Sequence, residues 1–150
     1  MDAEELKEIL EQHASWLHCN GGQRADLSHA DLSYADLSYA NLSQSNLSKA
    51  NLSHANLSHS DLGYITGYSE SHEVFQEVVR RQKENTFTDR EWTAIGQIIV
   101  HRLCWGWITY RFDDVVMSIL EKLTQAGFRE WEDAYKEYKE KEPMEQKEGK

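Results

Sequence analysis

Leu recurs at positions 27, 32, 37, 42, 47, 52, 57 and 62. A period of five is the period of neither an α-helix nor a flat strand. The unit around each Leu is nearly invariant. Position one is Ala or Ser, position two Asp or Asn, position three Leu, and position four Ser except at Gly63. Position five varies: His29, Tyr34, Tyr39, Gln44, Lys49, His54, His59 and Tyr64. Only positions one and three are apolar, and both must point inward for the block to have a core. A straight strand would send every second Leu to the opposite face. The chain must therefore turn a corner in each unit. Four corners close a square coil of twenty residues, and successive coils stack at about 4.8 Å. In that stack Leu27, Leu32, Leu37 and Leu42 lie under Leu47, Leu52, Leu57 and Leu62. Asp, Asn and Ser face outward, where they bond the turning backbone.

The block resembles the pentapeptide-repeat family, whose pattern is A(D/N)LXX, over eight consecutive units. The resemblance implies a right-handed quadrilateral β-helix, the handedness coming from the family. The expected architecture is mixed: a two-coil β-helix capped by an N-terminal helix and followed by a C-terminal bundle of about four helices. The expected boundaries are a capping helix over 1–22, repeats over 23–66, a helical region over 67–141 and a disordered tail over 142–150. Repeat arrays need caps. Asp2 with Glu5 forms a capping box for the first helix, whose stripe is Leu6, Ile9, Leu10, His13 and Leu17. After Leu62 the pattern becomes helical. Val74, Phe75, Val78 and Val79 mark one helix, Trp92, Ile95, Ile98, Ile99 and Leu103 a second. WGWITYRF reads as an aromatic connection. Asp113 or Asp114 opens a third helix, and residues from Phe128 make a fourth. Trp92, Trp105, Trp107, Phe112, Phe128, Trp131 and Tyr135 are expected to form the core of the helical part.

Charge and composition exclude several function classes. The formal net charge is −10, with five acids and one base in residues 1–23 and four acids and two bases in residues 24–64. No basic face exists to neutralise phosphate, so direct nucleic-acid binding is not expected. No long uncharged apolar run implies a membrane span. The two cysteines, Cys19 and Cys104, do not form a disulfide framework, and a reducing cytoplasm is the expected location.

Seven histidines raise the question of a metal. His13, His18 and Cys19 are close in sequence, but no two coil histidines share a column, so neither metal nor cofactor is expected. Cys104 with His101 could form a nucleophile and base, yet a buried small hydrophobe is the commoner role for such a cysteine. The chain reads as a non-enzyme. Its expected function is a protein-interaction module, a bacterial or phage regulator or inhibitor of a host protein. The binding surface would be Tyr34, Tyr39, His54, His59 and Tyr64, since Tyr is favoured at interfaces. A leftover apolar patch on the helical part would imply a homodimer. The resemblance carries an alternative, because some family members mimic B-form DNA and bind DNA gyrase or topoisomerase. Two coils spanning roughly 10 Å match only about three base pairs. A further alternative is an enzyme with its site in the helical region.

Overall fold

A computed structural model describes residues 1–102 and 105–141. Five helices are present: α1 (Ala3–Leu17), α2 (His72–Arg80), α3 (Asp89–Val100), α4 (Trp105–Gln125) and α5 (Glu130–Lys141). The chain forms two compact units, Met1–Thr86 and Phe87–Lys150.

The expected two-coil β-helix is corrected by this structure. The described residues contain no β-strand and no sheet, and helices dominate. The repeats are joined only by isolated parallel bridges, Asp26 to Asn46, Asp31 to Asn51, Asp36 to Asn56, Asn41 to Asp61 and Asn46 to Thr66. The physical reason lies in the length of the unit. A ladder needs consecutive extended residues, and each unit spends positions four and five on a turn. One bridging residue per unit remains, so pairing never propagates along the chain. A single four-helix bundle is not formed either. α2 belongs to the unit that holds the repeats, and α4 packs against α3 and α5 in the other.

Seven of the eight turns close with a hydrogen bond from the N–H of the next unit's first residue to the Leu carbonyl three residues back, as in Ala30 to Leu27 (3.2 Å) and Ala35 to Leu32 (3.0 Å). Position five sits in the left-handed region in all eight units, with φ between 55° and 63°. Position four does not, which is the sign pattern of a type II turn. Such turns ordinarily recruit Gly or Asn, and a bulkier residue there costs on the order of 1 kcal/mol. None of the eight is either residue. Inter-coil bonds hold the strained corners, for example from Tyr34 N–H to the Ser53 carbonyl and from Tyr39 N–H to the Ser58 carbonyl, both 3.0 Å.

All eight repeat leucines are buried, none more than 3% exposed. Ser45 takes the position-one slot that Ala usually fills. It is fully buried and its hydroxyl has no partner among the described residues. Ser60, in the equivalent slot fifteen residues on, instead donates to the Leu57 carbonyl at 2.7 Å. Ser45→Ala is therefore expected to raise stability by about 1 kcal/mol, read from the denaturant midpoint, because it removes an unsatisfied buried hydroxyl.

The first coil is anchored to α1 by His13, which is fully buried. Its Nδ1 accepts from the Ala25 N–H (3.1 Å), which fixes the proton on Nε2, the atom 2.9 Å from the Ser43 carbonyl. The second coil meets α2 through Arg81, whose guanidinium reaches the Leu57 carbonyl (3.2 Å) and the Ser60 hydroxyl (3.3 Å). Glu77 holds both Arg80 and Arg81. Burial would raise its carboxyl, but the two guanidiniums outweigh burial and lower it.

In the second unit the aromatic connection is helical. WGWITYRF is the first part of α4, and Phe112 is a kink with φ −138° from which the second part continues. Ile108 is fully buried, so this segment contributes to the core. Of the seven aromatics expected in that core, Trp131 and Tyr135 are buried. Trp105, Trp107, Phe112 and Phe128 are half-buried, and Trp92 is 38% exposed. Aliphatic side chains fill the remaining volume: Ile95, Ile98, Val116, Ile119, Leu120 and Leu123. Leu103, Cys104 and the expected disordered tail over 142–150 lie outside the described residues.

Candidate functional site

The left-handed turn points every position-five side chain away from the coil, and all eight are exposed. Because the coil repeats every twenty residues, these side chains form four columns. Two neighbouring columns are aromatic. Tyr34 stacks on His54 with ring centroids 4.9 Å apart and planes 15° apart. Tyr39 stacks on His59 at 4.9 Å and 16°. Both tyrosines are 77% exposed, and Tyr64, above Gln44, is 88% exposed. The five residues singled out in the sequence thus lie on three successive corners. Each ring pair is stacked, and the Tyr34 and Tyr39 N–H groups bond the neighbouring coil. The arrangement presents flat aromatic surface and ring hydrogen-bonding atoms at low conformational cost.

Between the columns run the position-two side chains, where the structure reveals a pairing the sequence reading missed. Every column holds one acid and one amide: Asp26 with Asn46, Asp31 with Asn51, Asp36 with Asn56, and Asn41 with Asp61. Asn46 Nδ2 donates to Asp26 Oδ1 at 3.0 Å, Asn51 to Asp31 at 3.1 Å and Asn56 to Asp36 at 3.2 Å. The same Asp oxygens accept from the serine two residues on, closing an Asx turn, as Asp31 does from Ser33 N–H (3.1 Å) and Oγ (2.7 Å). These serine bonds, with the Asn amides, hold the carboxyls of Asp26, Asp31 and Asp36 below their ordinary range. The distribution of Asp and Asn, read with a period of twenty, contains this signal. It keeps carboxylates from stacking on carboxylates. Asn51→Asp is expected to lower the melting temperature by a few degrees at pH 7 and low salt, because it replaces a donor by a like charge. The loss should shrink in high salt, where the repulsion is screened.

The other candidates do not converge. His13 is spent on docking α1, His18 Nδ1 lies 2.7 Å from the Ala14 carbonyl, and Cys19 is exposed. His29 is an exposed corner residue. His101 stacks on Trp107 at 3.7 Å, while Cys104 lies outside the described residues. Among the described residues no group of three His, Cys, Asp or Glu side chains could hold a metal ion. No helix among them is long and apolar enough to cross a membrane.

A buried charge cluster in the second unit also escaped the sequence reading. Glu91 completes the capping box of α3 with Thr88 and accepts from Ser118 Oγ (2.7 Å) and Lys122 Nζ (2.6 Å). Thr88 and Glu91 are visible as a box in the sequence. Ser118 and Lys122 are about thirty residues away and become partners only through the α3–α4 packing.

No curated protein and no solved structure matches the chain. The family model for pentapeptide repeats matches residues 25–63 in eight copies.

Proposed function

We propose that the chain is a non-enzymatic protein-interaction module, a bacterial or phage regulator or inhibitor that binds a host protein through the repeat faces, the helical region or both. The observation that supports this reading is the pair of stacked, exposed Tyr–His columns on adjacent corners of a rigid coil. Interfaces favour rings that are held in place before binding, because little side-chain entropy is then lost. The match to the repeat family is consistent with the reading, since such repeats generally serve interaction rather than catalysis. Tyr34, Tyr39, His54, His59 and Tyr64 are the proposed contact residues.

The test is affinity capture from bacterial lysate with the tagged chain and with a Tyr39→Ser/His59→Ser double variant, followed by mass spectrometry. A stoichiometric protein recovered by the parent and lost with the variant supports the surface. Equal recovery by both removes it. Recovery of gyrase or topoisomerase subunits calls for a supercoiling assay, in which inhibition would favour DNA mimicry.

A further inference from the structure

A groove of about 550 Å³ runs between α1 and the first coil. Leu6, Leu10 and Ala14 line it from the helix, and Leu32, Tyr34 and Ala35 from the repeats. The leucines of α1 that enter it are only half-buried. Its charged lining is Asp2, Glu11, Asp31 and Asp36 against Lys7 and the Met1 ammonium, which helps to lower the Asp31 carboxyl.

The repeat wall of the groove is also an open hydrogen-bonding edge. In the second coil the N–H groups of Asn51 and Asn56 donate to the carbonyls of Ala30 and Ala35. The carbonyls of Asn51, Ser53 and Asn56 accept from Leu32, Tyr34 and Leu37. One coil earlier, at the end of the stack, the same groups have no partner among the described residues. These are the N–H groups of Asp31 and Asp36 and the carbonyls of Asp31, Ser33 and Asp36. His13 satisfies this edge only at Ala25 and Ser43. The groove therefore combines an apolar wall, unpaired backbone donors and acceptors on both sides of a corner, and a mainly acidic rim.

We propose that this groove receives a short extended segment of a partner protein, carrying a large aliphatic side chain flanked by Lys or Arg. The segment's backbone bonds the open groups of Asp31 and Ser33 on one side of the corner, a short stretch of exposed edge. Its aliphatic side chain lies against Leu6 and Leu10, and its cations face the acidic rim. Charge decides the sign of the partner, since the four carboxylates outnumber the two cations, Lys7 and the Met1 ammonium. The groove shares Tyr34 with the surface argued above, but the Tyr39–His59 column lies outside it, so the two sites are tested separately.

The experiment is selection of a random short-peptide library displayed on phage against the immobilised full chain. Binding of the enriched peptides is then measured by fluorescence anisotropy. The expected peptides carry Lys or Arg around Leu, Ile or Val. Leu10→Glu should weaken them at least about tenfold. Circular dichroism confirms that this variant keeps its helix content. Asp31→Asn/Asp36→Asn retains the side-chain acceptors of both turns and should also weaken the peptides at least about tenfold. Tyr39→Ser should leave them unchanged. Failure to enrich any peptide, enrichment of acidic peptides, or unchanged binding to Leu10→Glu each overturns the proposal. Loss with Tyr39→Ser alone moves the site to the aromatic columns and overturns it as well, while the lysate experiment still judges those columns separately.

Discussion

Leu37→Asp is expected to unfold the repeats as a whole. Leu37 is fully buried and stacks in register with Leu57, itself 3% exposed. An unpaired carboxylate there has no partner in the surrounding wall of Leu and Ala, and burying it costs several kcal/mol. Even the neutral Leu37→Ala should cost about 3 kcal/mol for the lost contacts and the cavity. Small domains hold roughly 5–15 kcal/mol in total, so the charged variant removes most or all of the margin. Hydrogen exchange read by peptide mass spectrometry separates the two units. Residues 25–63 should lose protection in Leu37→Asp, while residues 115–123 of α4 should keep theirs. Tryptophan fluorescence makes a poor substitute, because four of the five tryptophans lie beyond residue 86. Native-like protection across 25–63 would show that position three does not carry the core.

The second large effect belongs to Glu91, whose side chain is 4% exposed against 30% for Lys122. Burial alone would raise its carboxyl. The hydrogen bonds from Lys122, Thr88 and Ser118 outweigh burial and lower it to about 2 from an ordinary 4.5. A carboxyl depressed in the folded state stabilises the fold fully above its unfolded pKa and ceases to do so as pH falls through the folded one. The contribution of Glu91 is therefore complete above pH 4.5 and is lost on the way down to about 2. A shift of this size corresponds to about 3 kcal/mol. Glu91→Gln keeps a residue able to complete the capping box but removes the charge that meets Lys122. It is expected to destabilise residues 87–141 by about 2–3 kcal/mol at pH 7. The gap from the parent should close as pH approaches 2, measured by urea titration at a series of pH values. A gap independent of pH would mean that the cluster acts through packing rather than charge.

The sequence was most legible where its pattern was most redundant. Eight copies of one unit make the inward Leu and the outward variable residue readable, and a twenty-residue circuit follows from counting corners. The backbone state of the corners was not readable. Left-handed residues announce themselves as Gly or Asn, and here they are Tyr, His, Gln and Lys. Nor was the absence of a ladder, which depends on how many residues of each unit stay extended once the turn is made. In the helical unit, caps such as Thr88–Glu91 were visible as local signals. The run WGWITYRF was misread because its aromatics suggest an irregular linker. Ile108 buries on one side of it and draws it into α4, leaving the irregularity at Phe112. The partnership of Glu91 with Lys122 depends on tertiary packing, which no local pattern encodes.

The bridges described above join residues exactly one circuit apart, Asp26 with Asn46 and Asp36 with Asn56. This separation governs how the array is born as well as how it stands. A helix gains its first bond after four residues, but here a nascent chain must extend a full twenty residues before any inter-coil bridge can form. Closing a loop of that length costs on the order of 3 kcal/mol before the first reward. Two units cannot therefore exist as a stable half-product, and neither can three. On the ribosome the segment should stay unstructured until the second circuit emerges, and then order in one step. Its lifetime as an open chain is set by synthesis.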